Sequence, residues 1–122
     1  MVIMRASLRR VHSPDVEDLE SYRPERSDDF GFLLQIFAGP EGGEGEESFD
    51  VVVCTPRWLE RKHGQHEVVV GRHRLIVFEY DYDRLVKMIE LYCDSCEGNS
   101  WQDVAEKLSR LGKWEFEDYS EQ

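Results

Sequence analysis

Hydrophobic and polar positions divide the chain into a strand-rich part followed by a helix-rich part. The first residues alternate at the period of a half-buried strand, with apolar side chains at Val2, Met4, Ala6 and Leu8. Residues 30–38 are almost continuously apolar and predict a central strand, in which Gly31 marks a bulge or a close backbone approach. Residues 48–54 resume as a β-branched strand. Three strands are therefore expected before residue 55.

The connecting segments are polar or carry turn signals. Residues 13–29 are rich in acids and predict a surface connection, and residues 40–47 have three glycines and four glutamates, which predicts a long hairpin loop. Thr55 precedes Pro56, an N-cap followed by proline at the first helical position, so a short helix is expected to residue 63. The apolar bursts at residues 68–70 and 75–78 predict either one bent strand or two short ones.

The period changes to 3.6 residues after Tyr80. A first helix, opened by Asp81 or Asp83, places apolar residues on one face, namely Leu85, Met88, Ile89, Tyr92 and Cys96. Ser100 and Asp103 then form a variant of the capping box. The second helix that they open is expected to end at Gly112 and to bury Trp101, Val104, Ala105, Leu108 and Leu111.

This order of elements predicts an α+β fold in a single domain over residues 1–122. We expect an antiparallel sheet of about four to five strands, with two C-terminal helices packed on one face and one short inserted helix. Beyond the helices, aromatic residues alternate with acids at Trp114, Phe116 and Tyr119. Because three aromatic side chains are costly to leave in water, this tail should dock on the body as a structural latch or an acidic recognition edge.

The net charge of the chain indicates the kind of partner that it binds. The 26 acidic residues outweigh the 15 lysines and arginines, giving a net charge of −11. This field repels phosphate backbones and attracts a basic partner, so a protein partner is expected rather than a nucleic acid. The three cysteines, with no signal sequence and no membrane-spanning apolar run, predict a cytoplasmic protein that does not enter the membrane.

Cys93 and Cys96 form a C-x-x-C motif, which is compatible with a redox site or a zinc site. The motif lies at a helix C-terminus, where the helix dipole disfavours thiolate. A zinc site would need further ligands from Cys54 and a histidine, and no second paired spacing supplies them. Buried structural cysteines are the preferred interpretation, and we expect no cofactor and no metal.

Catalytic signatures are weak. Residues 79–83 contain Glu79, Asp81 and Asp83, which would suit a small metal-dependent hydrolase. The competing interpretation is a strand end followed by acids that complement a helix dipole. We predict that the chain is not an enzyme, with the hydrolase and a general protein-interaction adaptor domain kept as alternatives.

Several short segments form a recognisable set when they are taken together. In the N-terminal half they are Leu8-Arg-Arg-Val-His-Ser-Pro-Asp15, Phe30-Gly-Phe-Leu-Leu34, Gly45-Glu-Glu-Ser-Phe-Asp50 and Val53-Cys-Thr-Pro-Arg-Trp-Leu59. They continue with Gly71-Arg-His-Arg-Leu-Ile-Val77 and Gly112-Lys-Trp-Glu-Phe-Glu-Asp-Tyr119. In this order they resemble the immunity protein 8 family of bacterial polymorphic-toxin systems. The resemblance implies a small α+β cytoplasmic protein, monomeric or homodimeric, that protects its producer by neutralising a cognate toxin domain, commonly a nuclease with a basic active-site surface. It implies no catalytic residues.

Partner contact is expected on acid-rich loops at element ends, because loops on a rigid scaffold usually carry recognition. One candidate set lies in the predicted hairpin loop and consists of Glu41, Glu44, Glu46 and Glu47. The other lies at the start of the first long helix and consists of Asp81, Tyr82 and Asp83. Tyr82 would be the aromatic anchor of the contact, and residues 15–29 are the next acidic region to consider.

Overall fold

The computed structural model describes residues 3–117. The elements along the chain are β1 (Met4–His12), β2 (Gly31–Pro40), β3 (Glu47–Cys54), α1 (Pro56–His63), β4 (Arg74–Ile76), α2 (Tyr82–Ser95), β5 (Glu97–Gly98), α3 (Trp101–Leu108) and β6 (Lys113–Trp114). Val2 and Tyr119, which the sequence placed in a strand and in the docked tail, lie outside the described residues.

The strands form one mixed sheet in the order β4-β3-β2-β1-β5, with β6 also pairing with β3. The long pairs β1–β2 and β2–β3 are antiparallel, as expected from the sequence. The pair β3–β4 is parallel, with Val53 opposite Leu75. It is parallel because α1 and the segment after it form a crossover that returns the chain to enter the sheet in the direction of β3.

The helices α2 and α3 pack on one face of this sheet and bury its apolar side chains. The fully buried residues of the core include Leu34 and Ile36 of β2, Phe49 and Val51 of β3, Ile89 of α2, and Val104 and Leu108 of α3. These residues occupy alternate positions on the strands and positions three or four apart on the helices. The predicted α+β class, with two C-terminal helices on one face and one short inserted helix, is confirmed.

The inserted helix α1 begins as the sequence predicts. Thr55 is its N-cap and its side chain accepts a hydrogen bond from the backbone N–H of Trp58 at 3.3 Å. A Cβ added at Gly31 would lie 2.3 Å from the Trp58 ring, so Gly31 marks a close approach between β2 and α1. Of the two alternatives for Gly31, the close approach is therefore the one observed.

The acidic connection between β1 and β2 is held to the body by aromatic packing. Tyr22 packs edge to face against Phe32, with ring centroids 5.4 Å apart, and against Tyr80, with centroids 5.0 Å apart. The Tyr80 hydroxyl donates to the Leu19 carbonyl. Burial raises the pKa of Tyr80 to about 12, so the phenol remains a donor throughout the physiological range. The connection is thus packed against the body through Leu19 and Tyr22 at this end of the sheet.

Two local expectations were decided by the structure. The two apolar bursts form neither one bent strand nor two short ones, so that prediction is wrong: only the second contributes a strand, and Val68 is 93% exposed. The first burst lies in the crossover, where it pairs with none of the strands in residues 3–117. Asp81, rather than Asp83, is the N-cap of α2, and Cys96 directly follows that helix. Ser100 caps α3 by accepting from the Asp103 N–H at 3.2 Å.

The segment after α3 docks on the free edge of β3. Phe49 pairs with Trp114, and their rings stack with centroids 6.4 Å apart. Gly112 lies against the Phe49 backbone, where an added Cβ would be 3.0 Å from the carbonyl carbon. Trp114 is half-buried and Phe116, packed on its edge, is 39% exposed. The predicted docking of the tail is therefore confirmed for Trp114 and partial for Phe116.

Candidate functional site

The loop between β2 and β3 has a fixed conformation because Arg9 reaches across it. Arg9 Nη2 donates to the carbonyl oxygens of Pro40 and Gly43, each at 2.7 Å, and its Nε lies 3.4 Å from the Gly45 carbonyl oxygen. Hydrogen bonds from a charged donor are stronger than neutral ones. The loop therefore presents its exposed glutamates from an ordered backbone.

The glutamates of this loop have different environments. Glu46 accepts from Arg10 Nη2 at 2.7 Å, and the Arg10 guanidinium lies 3.8 Å from the Phe37 ring centroid. Glu41 lies 3.9 Å from Arg5, a distant pair between exposed side chains. Glu44 is exposed at the tip of the loop. Glu41 and Glu44 therefore have the most weakly engaged carboxylates of this loop.

Glu47 supports the packing of two tryptophans. Its Oε1 accepts from Trp101 Nε1 at 2.6 Å and from Trp114 Nε1 at 2.9 Å. These bonds join β3, α3 and β6, and all three side chains are half-buried. The sequence suggested Glu47 as a partner contact, and no feature of the sequence alone indicated that it would bridge two indoles.

The second predicted set lies at the start of α2. Asp81 accepts from the backbone N–H of Arg84 at 3.0 Å, and Asp83 is exposed in the first helical turn. Arg84 lies 3.7 Å from Glu79 and 3.9 Å from Asp81, and all three side chains are exposed. These ion pairs are weak because solvent screens them. Asp81 therefore combines a capping role with an exposed position beside Glu79.

Tyr82 lies against the acidic connection between β1 and β2. Burial raises the pKa of Tyr82, and the charges of Glu20, Asp83 and Asp18 raise it further. A shallow pocket formed by residues 11–13, residues 16–20 and Tyr82 opens at this point. The structure thus brings residues 18 and 20, which the sequence ranked as a second choice, to the same end of the molecule as the corner at residues 81–83.

The two predicted sets lie at opposite ends of the sheet. Glu41 donates its backbone N–H to the Arg5 carbonyl at the start of β1, whereas Tyr82 and His12 line one pocket at the end of β1. At about 3.3 Å per residue, the six steps from Ala6 to His12 separate the two ends by roughly 20 Å. They are therefore two acidic ends and not one cluster.

An apolar groove between β4 and α2, hereafter the β4–α2 groove, opens beside the second set. It has a volume of about 420 Å³ and is lined by Val53, Leu75, Val77, Leu85 and Met88, with Phe78, Glu79, Asp81 and Arg84 at its mouth. Phe78 is 79% exposed and Ile76, also in the lining, is 49% exposed. Sequence reasoning missed this groove because a short apolar burst was assigned wholly to a strand. No feature of the sequence alone indicated the groove, because it forms where two separate segments pack incompletely.

The cysteines have the environment of structural residues. Cys54, Cys93 and Cys96 are all free and buried. Burial, together with the neighbouring Cys96, Asp94 and Glu90, raises the pKa of Cys93 to about 12. A thiol with that pKa is a poor nucleophile at neutral pH.

The hydrolase alternative depended on a metal held by Glu79, Asp81 and Asp83. Residues 3–117 contain no group of three or more histidine, cysteine or acidic side chains arranged to hold a metal ion. Within those same residues, no helix combines the length and the apolar character needed to cross a membrane. Glu79, Asp81 and Asp83 are therefore not arranged as a metal site within those residues.

Comparison with known proteins gave one match. The family model described as immunity protein 8 matches residues 6–119 of the chain. No curated protein and no solved structure matched. The matched range includes both acidic ends, the β4–α2 groove and the docked segment at β6.

Proposed function

The chain belongs to the immunity protein 8 family, and on that premise we propose that it neutralises a cognate nuclease toxin domain by binding it through acidic surface. Binding protects the producing cell in its cytoplasm. The chain acts by occupying the toxin and has no catalytic step of its own. The observation that supports this proposal is the family match over almost the whole chain. The matching family consists of immunity proteins of toxin systems.

Charge supports the choice of a nuclease as the partner. A nuclease groove is basic because it must hold a phosphate backbone. A chain with a net charge of −11 attracts such a groove at long range, and its carboxylates can take the places of phosphates at close range. The same charge disfavours binding of nucleic acid by the chain itself.

Geometry supports some of the proposed contact residues more than others. In the loop, Glu41 and Glu44 are exposed on a backbone that Arg9 holds, and Glu46 contributes through its pair with Arg10. Glu47 acts on the contact indirectly, because its carboxylate is already bound to two indoles. At the other end, Asp81, Tyr82 and Asp83 form the second contact.

The test is co-expression with the toxin domain encoded beside this gene. Cells producing that domain should survive only when they also produce the chain, and the purified pair should form a stoichiometric complex of nanomolar or tighter affinity. Its nuclease activity should fall in proportion to the chain added. A survival assay with an unrelated nuclease toxin is the specificity control.

Three results would contradict the proposal. The first is a toxin domain that kills cells equally with and without the chain. The second is an intrinsic hydrolytic activity of the purified chain that a single Asp81→Asn or Glu79→Gln substitution abolishes, since this would favour the hydrolase alternative. Protection without a stable complex would also contradict neutralisation by binding.

A further inference from the structure

We infer that the β4–α2 groove receives an apolar side chain of the cognate toxin, with the carboxylates at its mouth facing a basic residue of the same toxin segment. This inference rests on the proposed function and specifies which of the two acidic ends carries the tight part of the contact. The sequence predicted Tyr82 as the anchor of the contact. The inference instead places the apolar anchor in the groove beside Tyr82.

The groove has the form of an interface core. Its floor is made by Val53, Leu75 and Val77 on the sheet side and by Leu85 and Met88 on the helix side. Protein interfaces bury an apolar centre inside a polar rim, and their strongest contacts are large side chains seated in well-packed pockets. A groove of about 420 Å³ has room for such a side chain.

Phe78 is the strongest sign that something covers the groove. It is 79% exposed at the mouth, and the neighbouring Ile76 is 49% exposed. Single exposed apolar residues are common, but here two of them border an apolar groove and form one continuous surface with it. A small ligand inside the groove would leave the outer side of Phe78 in water. A protein segment lying across the mouth would cover it.

The charges at the mouth of the groove indicate which kind of protein segment would bind there. Glu79 and Asp81 stand there with Arg84, so the mouth has a net charge of −1. The corner beyond it adds Asp83, and the connection between β1 and β2 adds further acids near Tyr82. An apolar side chain flanked by lysine or arginine complements this arrangement, and the proposed toxin is basic.

A second copy of the chain is a poorer occupant. Each copy has a net charge of −11, so two copies repel at long range. A two-fold contact centred on the groove would also bring the acidic mouths of both copies together, and like charges across an interface oppose association. The toxin is therefore the occupant to which the inference commits.

The experiment measures binding of the toxin domain encoded beside this gene to wild-type chain, to Phe78→Ala and to Leu91→Ala. Leu91 is the matched control because it is 57% exposed on α2 and does not line the groove. Phe78→Ala should weaken binding at least about 30-fold, mainly through faster dissociation, as truncation of an interface anchor does. Leu91→Ala should change the dissociation constant by less than about two-fold. Amide hydrogen exchange over residues 75–88 should slow in the complex.

The outcomes separate this inference from the proposed function. If wild-type chain binds the toxin domain and Phe78→Ala binds equally well, the inference is wrong while the proposed function stands. If light scattering shows that the free chain is a dimer which Phe78→Ala dissociates, a second copy covers the groove and the inference is again wrong. If wild-type chain neither binds nor protects, both fail together.

Discussion

Glu47 shows that an acidic residue beside a charged loop can support the packing of the fold instead of facing a partner. Its carboxylate accepts from the indole nitrogens of Trp101 and Trp114 and so ties a strand, a helix and the docked C-terminal segment together. Glu44, three residues earlier, is exposed at the loop tip. The two glutamates look equivalent in sequence, and only the side-chain contacts distinguish them.

Removing the Glu47 carboxylate should destabilise the fold. Glu47→Ala leaves two half-buried indole N–H groups without their acceptor, so the free energy of unfolding should fall by about 2–4 kcal/mol. Glu47→Gln keeps an acceptor oxygen and should lose about half as much. Glu44→Ala, at an exposed position, should change stability by no more than about 0.5 kcal/mol. Urea unfolding followed by tryptophan fluorescence provides the measurement, and equal midpoints for Glu47→Ala and Glu44→Ala would contradict this role.

At the scale of elements, the sequence was most informative where the hydrophobic pattern fits only one kind of element. The long strand near residues 30–38 follows from an almost continuous apolar run and the helix after Asp81 from burial of one face, and both are observed. The prediction of a strand at residues 68–70 was wrong because β-branched residues favour a strand only if a neighbouring strand pairs with them. The parallel entry of β4 depends on the crossover through α1. That is a property of the whole connection and has no local signature.

For the candidate sites too, some features could be predicted from the sequence and others could not. The sequence identified both acidic ends because charge is visible residue by residue. It did not indicate that they lie roughly 20 Å apart, because that follows from the register of β1 with β2. It missed the β4–α2 groove, since a groove exists only where two distant segments pack incompletely. The Glu79–Asp81–Asp83 cluster had a plausible sequence spacing for a metal, yet Asp81 caps α2 and Arg84 lies beside Glu79 and Asp81.

The C-terminal segment should behave as a structural latch. Trp114→Ala removes the ring that stacks on Phe49 and a donor to Glu47, so unfolding free energy should fall by about 3 kcal/mol, the lower end for large aromatics because Trp114 is half-buried. Phe116→Ala should cost about 1 kcal/mol because the ring is 39% exposed. Lys113→Ala, an exposed neighbour on the same strand, is the control.

A double-mutant cycle sharpens this prediction. Glu47→Ala and Trp114→Ala remove the two ends of one hydrogen bond, so together they should cost less than the sum of their separate effects. Truncation after Gly112 should lower the melting temperature at least as much as Trp114→Ala does. An unchanged melting temperature in the truncated chain would show that β6 contributes no stability, and the aromatic tail would then be available for recognition.

For the whole molecule, the net charge and the two acidic ends act over different distances. The field of −11 charges extends over about one Debye length, roughly 8 Å at physiological salt, and guides a basic partner toward the molecule as a whole. The contact itself is local and, by the inference above, centred on the β4–α2 groove. Association rate and dissociation rate should therefore respond to different residues.

This separation can be measured with two sets of neutralised variants and the toxin domain encoded beside this gene. Glu41/Glu44/Glu46→Gln alters the loop end, and Asp81/Asp83→Asn alters the groove end while asparagine preserves the N-cap of α2. At about 20 mM salt both sets should slow association, and at about 300 mM salt the differences from wild type should shrink because the exposed charges are screened. Dissociation should speed up for the groove-end set alone, because Asp81 borders the apolar contact whereas the loop carboxylates lie roughly 20 Å away. Faster dissociation in the loop-end set, with no change at the groove end, would place the tight contact on the hairpin loop instead.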